Sequence, residues 1–233
     1  MAEPSFKTAL IVGAGDGLSA ALSRLMARDG LKVAVAARDA AKLAPLAAEI
    51  GGAAFAVDAS EADQVAALFD RVAETLGEPD VVVYNASGRV RGPLLDLEPA
   101  AVAGALAVTA FGGFLVGQQA ARRMLPRGRG AILFTGASAS IKGYSHSAPF
   151  AMGKFALRGL AESMARELAP QGIHVAHFVI DGAIRSATRP DPADRPDSTL
   201  DPDAIAQTYL DLLRQPRNAW TWEVELRPWV ETF

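Results

Sequence analysis

The chain has 233 residues, half of them hydrophobic and 21% charged, and 26 acidic side chains against 23 Lys and Arg give a formal net charge of −3. That length suits one α/β domain with a full core, and so small a charge offers no electrostatic reason for a nucleic-acid or membrane partner. The absence of cysteine excludes disulfides, thiolate catalysis and Cys-ligated metals, and it fits the cytoplasm.

From the N-terminus, residues 1–7 mix Glu3, Pro4 and Lys7 without an apolar core, unlike a signal peptide. Strand-like apolar runs follow at 8–12, 32–37, 53–57, 81–84, 131–135, 174–180 and 223–226, and helical periodicity marks 18–29, 40–50, 61–76, 100–124 and 150–168. Strands alternating with crossover helices predict a single-domain, Rossmann-type, doubly wound parallel sheet of about seven strands spanning residues 1–233, with helices on both faces. Residues 99–119 carry no charge, long enough for a membrane span, but their Ala and Gly content and the adjacent Gly112 and Gly113 favour a buried helix. Between 186 and 203, Pro190, Pro192, Pro196 and Pro202 interrupt any helix, so this stretch reads as a surface loop or substrate flap.

The first strand runs into Gly13, Ala14, Gly15, Asp16, Gly17 and Leu18 before a helix. Glycines there let backbone approach a pyrophosphate, and the helix N-terminus presents free N–H groups. The second strand ends in Ala37-Arg38, with no acidic residue to accept from a ribose 2′-OH. Arg38 can pair with a 2′-phosphate, which favours NADP(H) and leaves NAD(H) open; the bland alternative is a solvated helix-start residue. Asp16 would oppose an extra phosphate if it lay close.

At these residues the chain resembles the short-chain dehydrogenase/reductase family over essentially its whole length. Gly13 and Gly17 match its glycine turn, with Ser19 replacing the last glycine; Asp58 is similar to the aspartate that contacts adenine. Asn85 and Ala86 resemble part of its Asn-Asn-Ala-Gly motif, Lys154 its ribose-binding lysine, and Gly182 and Ile184 its segment beside the carboxamide. The resemblance implies hydride transfer with a nicotinamide cofactor, and it breaks at the chemistry. Where the family places Asn, Ser, Tyr and Lys, this chain has Thr109, then Ala137 with Ser138 as the nearest hydroxyl, then Phe150, then Lys154. With Phe at the Tyr position, the closing segment 218–228 resembles a divergent bacterial branch of the family.

Phenylalanine has no proton to give, and a missing general acid costs about 10²–10⁴ in rate. Tyr144 and His146, in the loop before the Lys154 helix, are the candidate replacements; their bland reading is as surface groups. Ser138 is the candidate for holding the substrate oxygen. His174 and His177 are three apart on a strand and lack a further ligand, so no metal site is expected. Trp220, Trp222 and Trp229 read as packing groups, and Arg122, Arg123, Arg127 and Arg129 as a solvated helix-end cluster. The expectation is an NADP(H)-preferring oxidoreductase acting on a small or medium, largely apolar carbonyl or alcohol, or a conjugated C=C bond. Its rival is a cofactor-binding sensor or scaffold without turnover. Apolar helices at 100–117 and 150–168 suggest a homodimer or homotetramer.

Overall fold

The computed structural model describes residues 6–186 and 189–231. Seven strands form one sheet in the order β3-β2-β1-β4-β5-β6-β7, every neighbouring pair parallel. They are β1 (Thr8–Val12), β2 (Lys32–Ala37), β3 (Ala53–Ala56), β4 (Val81–Tyr84), β5 (Gly130–Thr135), β6 (Ile173–Ile180) and β7 (Glu223–Leu226). Each lies within a residue of its sequence-predicted span. The helices are α1 (Leu18–Arg28), α2 (Ala44–Glu49), α3 (Ala62–Leu76), α4 (Pro99–Leu106), α5 (Gly112–Met124), α6 (Ala148–Leu168) and α7 (Pro202–Leu213).

Alternation along the strands splits the core in two. Leu10, Val12, Val82 and Ile132 pack with Leu68 and Phe69 of α3, Val116 and Met124 of α5, and Leu157 and Leu168 of α6. Ala9, Ile11, Val83 and Leu133 pack with Leu22 and Met26 of α1, Ala47 of α2, and Tyr209 and Leu213 of α7. The stripe Leu157, Leu160, Met164 and Leu168 is core, as its helical spacing predicts.

Two readings change. The expected helix at 40–50 divides into a 3₁₀ turn at Ala40–Leu43, capped by the Asp39 side chain, and α2, which opens with a proline in its first turn. The flap is shorter than residues 186–203. Asp201 accepts from the Asp203 N–H and Pro202 opens α7, so Pro202 and Asp203 are helical. Ala187 and Thr188 of that expected flap lie outside the described residues. The long apolar segment is one helix from Pro99 to Arg127, apolar and long enough to cross a membrane by length and composition alone. In this fold its Leu115, Val116, Ala120 and Met124 are buried against the sheet.

The Arg cluster is likewise not simply solvated. Asp80, buried where β4 begins, accepts from the Lys7 backbone N–H at 2.8 Å and from Arg127 at 2.7 Å, with Arg129 at 3.4 Å. Arg123 reaches Asp70 and, at 2.9 Å, Glu78. Removing the Arg127 guanidinium strands a buried carboxylate, so Arg127→Ala should lower unfolding free energy by about 2–3 kcal/mol with an unchanged denaturant slope. Urea melts check this, and a loss below about 0.5 kcal/mol would count against the clamp.

Candidate functional site

A parallel sheet of this order has a switch point between β1 and β4, where the connections leave in opposite directions and open a crevice beyond the strands' C-terminal ends. The loops after β1, β2, β4, β5 and β6 all reach that edge, carrying Gly13–Leu18, Arg38, Asn85–Arg91, Gly136–Ser140 and Asp181–Ile184 in turn.

At the centre the β1 turn meets the β4 loop. The Gly13 N–H donates to the Ala36 carbonyl at 2.9 Å, and the Asn85 N–H to Val12 at 2.8 Å. A Cβ on Gly13 would stand 2.2 Å from the Ala86 nitrogen, so only glycine fits there. Ser19, where the resemblance expects a glycine, ties the two loops together: its hydroxyl accepts from the Asn85 side chain at 2.6 Å and faces the Gly13 carbonyl at 3.4 Å. Gly15 is informative for another reason. Its φ is not in the left-handed region and a Cβ would meet nothing within 4 Å, so neither strain nor packing demands glycine. The space in front of it suits a ligand phosphate at the start of α1, with Asp16, Gly17 and Leu18 forming the rest of the turn.

A groove of about 660 Å³ runs along this side, lined by Gly13, Arg38, Asp58, Asn85, Ala86 and Arg89 among others. Arg38 is exposed and carries no ion pair among the described residues. Asp58 accepts from the Ser60 N–H at 3.0 Å and its hydroxyl at 2.6 Å, bonds that hold its pKa below the usual carboxylate value. Asp16 is exposed and is not among the groove's lining residues.

Asn85, Ser87 and Arg89 continue into a second cleft of about 730 Å³, which also contains Thr135, Ala137, Ser138, Tyr144, Phe150, Lys154, Gly182 and Ile184. Lys154 is buried and donates to the Thr135 carbonyl at 2.6 Å. Burial, with a smaller contribution from Arg89, pulls its pKa down to about 7. Phe150 stands one helical turn earlier on α6, and its ring is covered by the Arg89 guanidinium at 4.6 Å from the centroid, with Lys154 Nζ at 5.9 Å. Thr109 is not in this cleft. It is buried in a π-helical turn at Ala107–Phe111 between α4 and α5, where its hydroxyl accepts from the Gly88 N–H at 2.9 Å and so shapes the β4 loop.

The structure brings Ser138 and Tyr144 to the cleft and leaves His146 out of its lining. His146 is exposed with φ 58°, and its carbonyl accepts from the Gly92 N–H at 3.1 Å, tying the β4 loop to the loop before α6. Beyond Ser138, a chain that is buried at Ser140 and His177 and half-buried at its far end runs from Ser140 to His177 at 3.3 Å, to Glu223 at 3.0 Å and to Arg158 at 2.7 Å. His174 has other partners, the Thr221 carbonyl at 2.9 Å and a stacked Trp220 ring. No group of three metal-ligating side chains occurs among the described residues.

The residues that motif reading missed are charged. Arg89, Arg91, Arg189 and Glu231 line the cleft, where a largely apolar lining was expected. Arginines in loops have no periodicity to announce them, and only the fold brings position 189 to positions 89 and 91.

A sheet of this topology, with a glycine turn at its switch point and one groove continuing into a buried lysine, defines a dinucleotide-binding fold of the reductase type. Residues 7–192 match the short chain dehydrogenase family, and the chain belongs to it. A solved short-chain dehydrogenase from Rhodopseudomonas palustris is 38% identical with a TM-score of 0.83, covering 97% of this chain and all of the other. A metagenomic short-chain oxidoreductase solved with NADP is 29% identical with a TM-score of 0.83, covering 95% and 97%. The cis-4-hydroxycyclohexanecarboxylate dehydrogenase of Sinomonas cyclohexanicum is 33% identical over 174 residues, 72% of this chain and 70% of its own.

The histidine chain makes a pH prediction. Burial lowers the His177 pKa from 6.5 to about 4 against the opposing pull of Glu223. The unfolded chain therefore binds the proton first, so the stabilisation is complete above about pH 6.5 and drains away as pH falls toward 4. Unfolding free energy should drop by on the order of 3 kcal/mol across that window, and His177→Gln should remove most of the slope. Equal slopes in urea melts of the two proteins would refute the assignment.

Proposed function

We propose that this protein is an NADP(H)-preferring oxidoreductase that interconverts a carbonyl compound and its alcohol, using an active site without the family's phenol. The reading is carried by one observation: a glycine turn with room for phosphate and an Arg38 without an ion pair among the described residues line one groove, which shares Asn85, Ser87 and Arg89 with the cleft that holds the buried Lys154 and a serine hydroxyl. The metagenomic relative solved with NADP supports the cofactor.

In this reading the N–H groups at Gly13–Leu18 hold the pyrophosphate and Arg38 takes the 2′-phosphate. Asp58, Asn85 and Ala86 border the adenosine side, and Gly182 and Ile184 border the nicotinamide. Lys154, fixed by the Thr135 carbonyl, holds the nicotinamide ribose. When bound, the cofactor supplies or accepts hydride at the substrate carbon. The Ser138 hydroxyl donates to the substrate oxygen, stabilising negative charge there. Phe150 excludes water from one side of the cleft, with the Arg89 guanidinium over its ring. The proton reaches the oxygen from Tyr144 Oη or from solvent. Reduction of a conjugated C=C bond uses the same oxyanion contact, with the carbon protonated by water.

Phe150 is also the observation behind the rival reading of a sensor that binds cofactor without turnover. Two measurements separate them: NADPH affinity, and NADPH oxidation over ketones, alcohols and enoyl thioesters. Turnover on some member of the panel is expected, with a rise of about 10²-fold in ketone reduction for Phe150→Tyr and unchanged NADPH affinity. Tight NADPH binding with no turnover by either protein would establish the sensor.

The partner we propose is a second copy of this chain. Phe111 and Phe114 on the α4–α5 helix, and Met152 and Phe155 on α6, are large apolar side chains left exposed. Sedimentation should show a dimer or tetramer, and Phe114→Glu with Phe155→Glu should shift it to monomer; a wild-type monomer at micromolar concentration would reject the assembly.

A further inference from the structure

Arg89, Arg91 and Arg189 line the cleft together, although exactly one of them is explained by what it touches. Arg89 rests on the Phe150 ring; Arg91 and Arg189 have no ion pair among the described residues. The three sense one another. The Arg89 guanidinium, partly desolvated by the cleft walls, has its pKa lowered first by that burial and then by repulsion from Arg91 and Arg189. Two of the cleft's carboxylates bear on this charge. Asp181 is engaged by Lys142 at 3.3 Å and Arg227 at 3.7 Å, which leaves Glu231 at the rim. Arg185 belongs to a separate set, paired with Asp191 and Asp201.

Three like charges gathered at one cleft, with Glu231 the one lining carboxylate not engaged by another cation among the described residues, oppose each other until a further anion arrives. The backbone holds them there. The Gly92 N–H to His146 carbonyl bond fixes the end of the Arg89–Arg91 loop, and Arg189 is carried by a backbone pairing with Ser186. The guanidinium fork matches a carboxylate with two parallel hydrogen bonds, which an ester or amide does not reproduce.

We infer that the substrate carries a carboxylate, bound by Arg91 and Arg189 with Arg89 between it and the reacting oxygen. This rests on the oxidoreductase reading and narrows its substrate to oxo acids or hydroxy acids. The three arginines set specificity; Ser138 and Lys154 remain the groups at the chemistry. Arg89 serves both ends, because its ring contact with Phe150 places a permanent cation beside the position from which the family's phenol is missing.

The test uses the NADPH-loaded protein and matched pairs: 4-oxopentanoate, 5-oxohexanoate and 4-acetylbenzoate, each against its methyl ester. Binding is measured by calorimetry and turnover by NADPH oxidation. At least one acid should bind, and be reduced, at least tenfold better than its ester. Arg91→Ala with Arg189→Ala should bring acid and ester to within about threefold, mainly through KM, without changing NADPH affinity. Acids that bind without being reduced would uphold the anion site and remove the oxidoreductase reading. Esters that match or exceed the acids, or no binding by any acid, would overturn the proposal. So would weaker NADPH binding in the double variant, since that would assign the arginines to the cofactor.

Discussion

The β1 turn and the β4 loop touch backbone to backbone at the sheet's switch point, and the rest of the site is arranged around that contact. Gly13 has room for a hydrogen and nothing more against Ala86. Because the two loops are that close, the Asn85 side chain reaches Ser19 on α1, and the β4 loop is turned along the C-terminal edge of the sheet toward β5. Both grooves share that loop. A wider separation would leave a phosphate turn on one side and a lysine pocket on the other, with no continuous path for an extended ligand.

On the far side of the path Phe150 lines the second cleft, and its ring carries an arginine on its face. Thr109, where the resemblance expects an asparagine, turns its hydroxyl to the Gly88 N–H. The loop after β5 is held from behind by Ser140, which accepts from the Ala137 N–H at 3.2 Å and meets His177. One side chain therefore fixes the loop while Ser138, two residues earlier, is free to face the cleft. A buried histidine kept neutral and hydrogen-bonded on both nitrogens supports this geometry better than a charged one, since its desolvation would be costly.

How much of this was legible beforehand differs by residue. All seven strands and the glycine turn could be read from apolar runs and from the position of Gly13, Gly15 and Gly17 after the first strand, because buried parallel strands need continuous apolar sequence. Helix α7 was hidden by the prolines before it, even though Asp201 and Pro202 form a recognisable start signal. His146 offers the better pKa for neutral pH and Tyr144 the phenol's chemical type, so the sequence keeps both as candidates; the fold brings Tyr144 to the cleft and leaves His146 out of its lining. The Arg127 clamp on Asp80 looked like solvated charge, since nothing local reveals that a carboxylate 47 residues away is buried beside it.

By itself the sequence determined the doubly wound sheet, the glycine turn after its first strand and the spacing of Phe150 and Lys154 one helical turn apart, all of which are local patterns or single residues at fixed spacing. Tertiary structure decided what surrounds Phe150. Arg89 and Arg91 leave the sheet after β4 and Arg189 after β6, so their shared cleft exists only once the parallel strand order has set those ends on one edge with β5 alone between them. Like charges have no local reason to assemble; the hydrophobic packing of the two sheet faces supplies the free energy that holds them together.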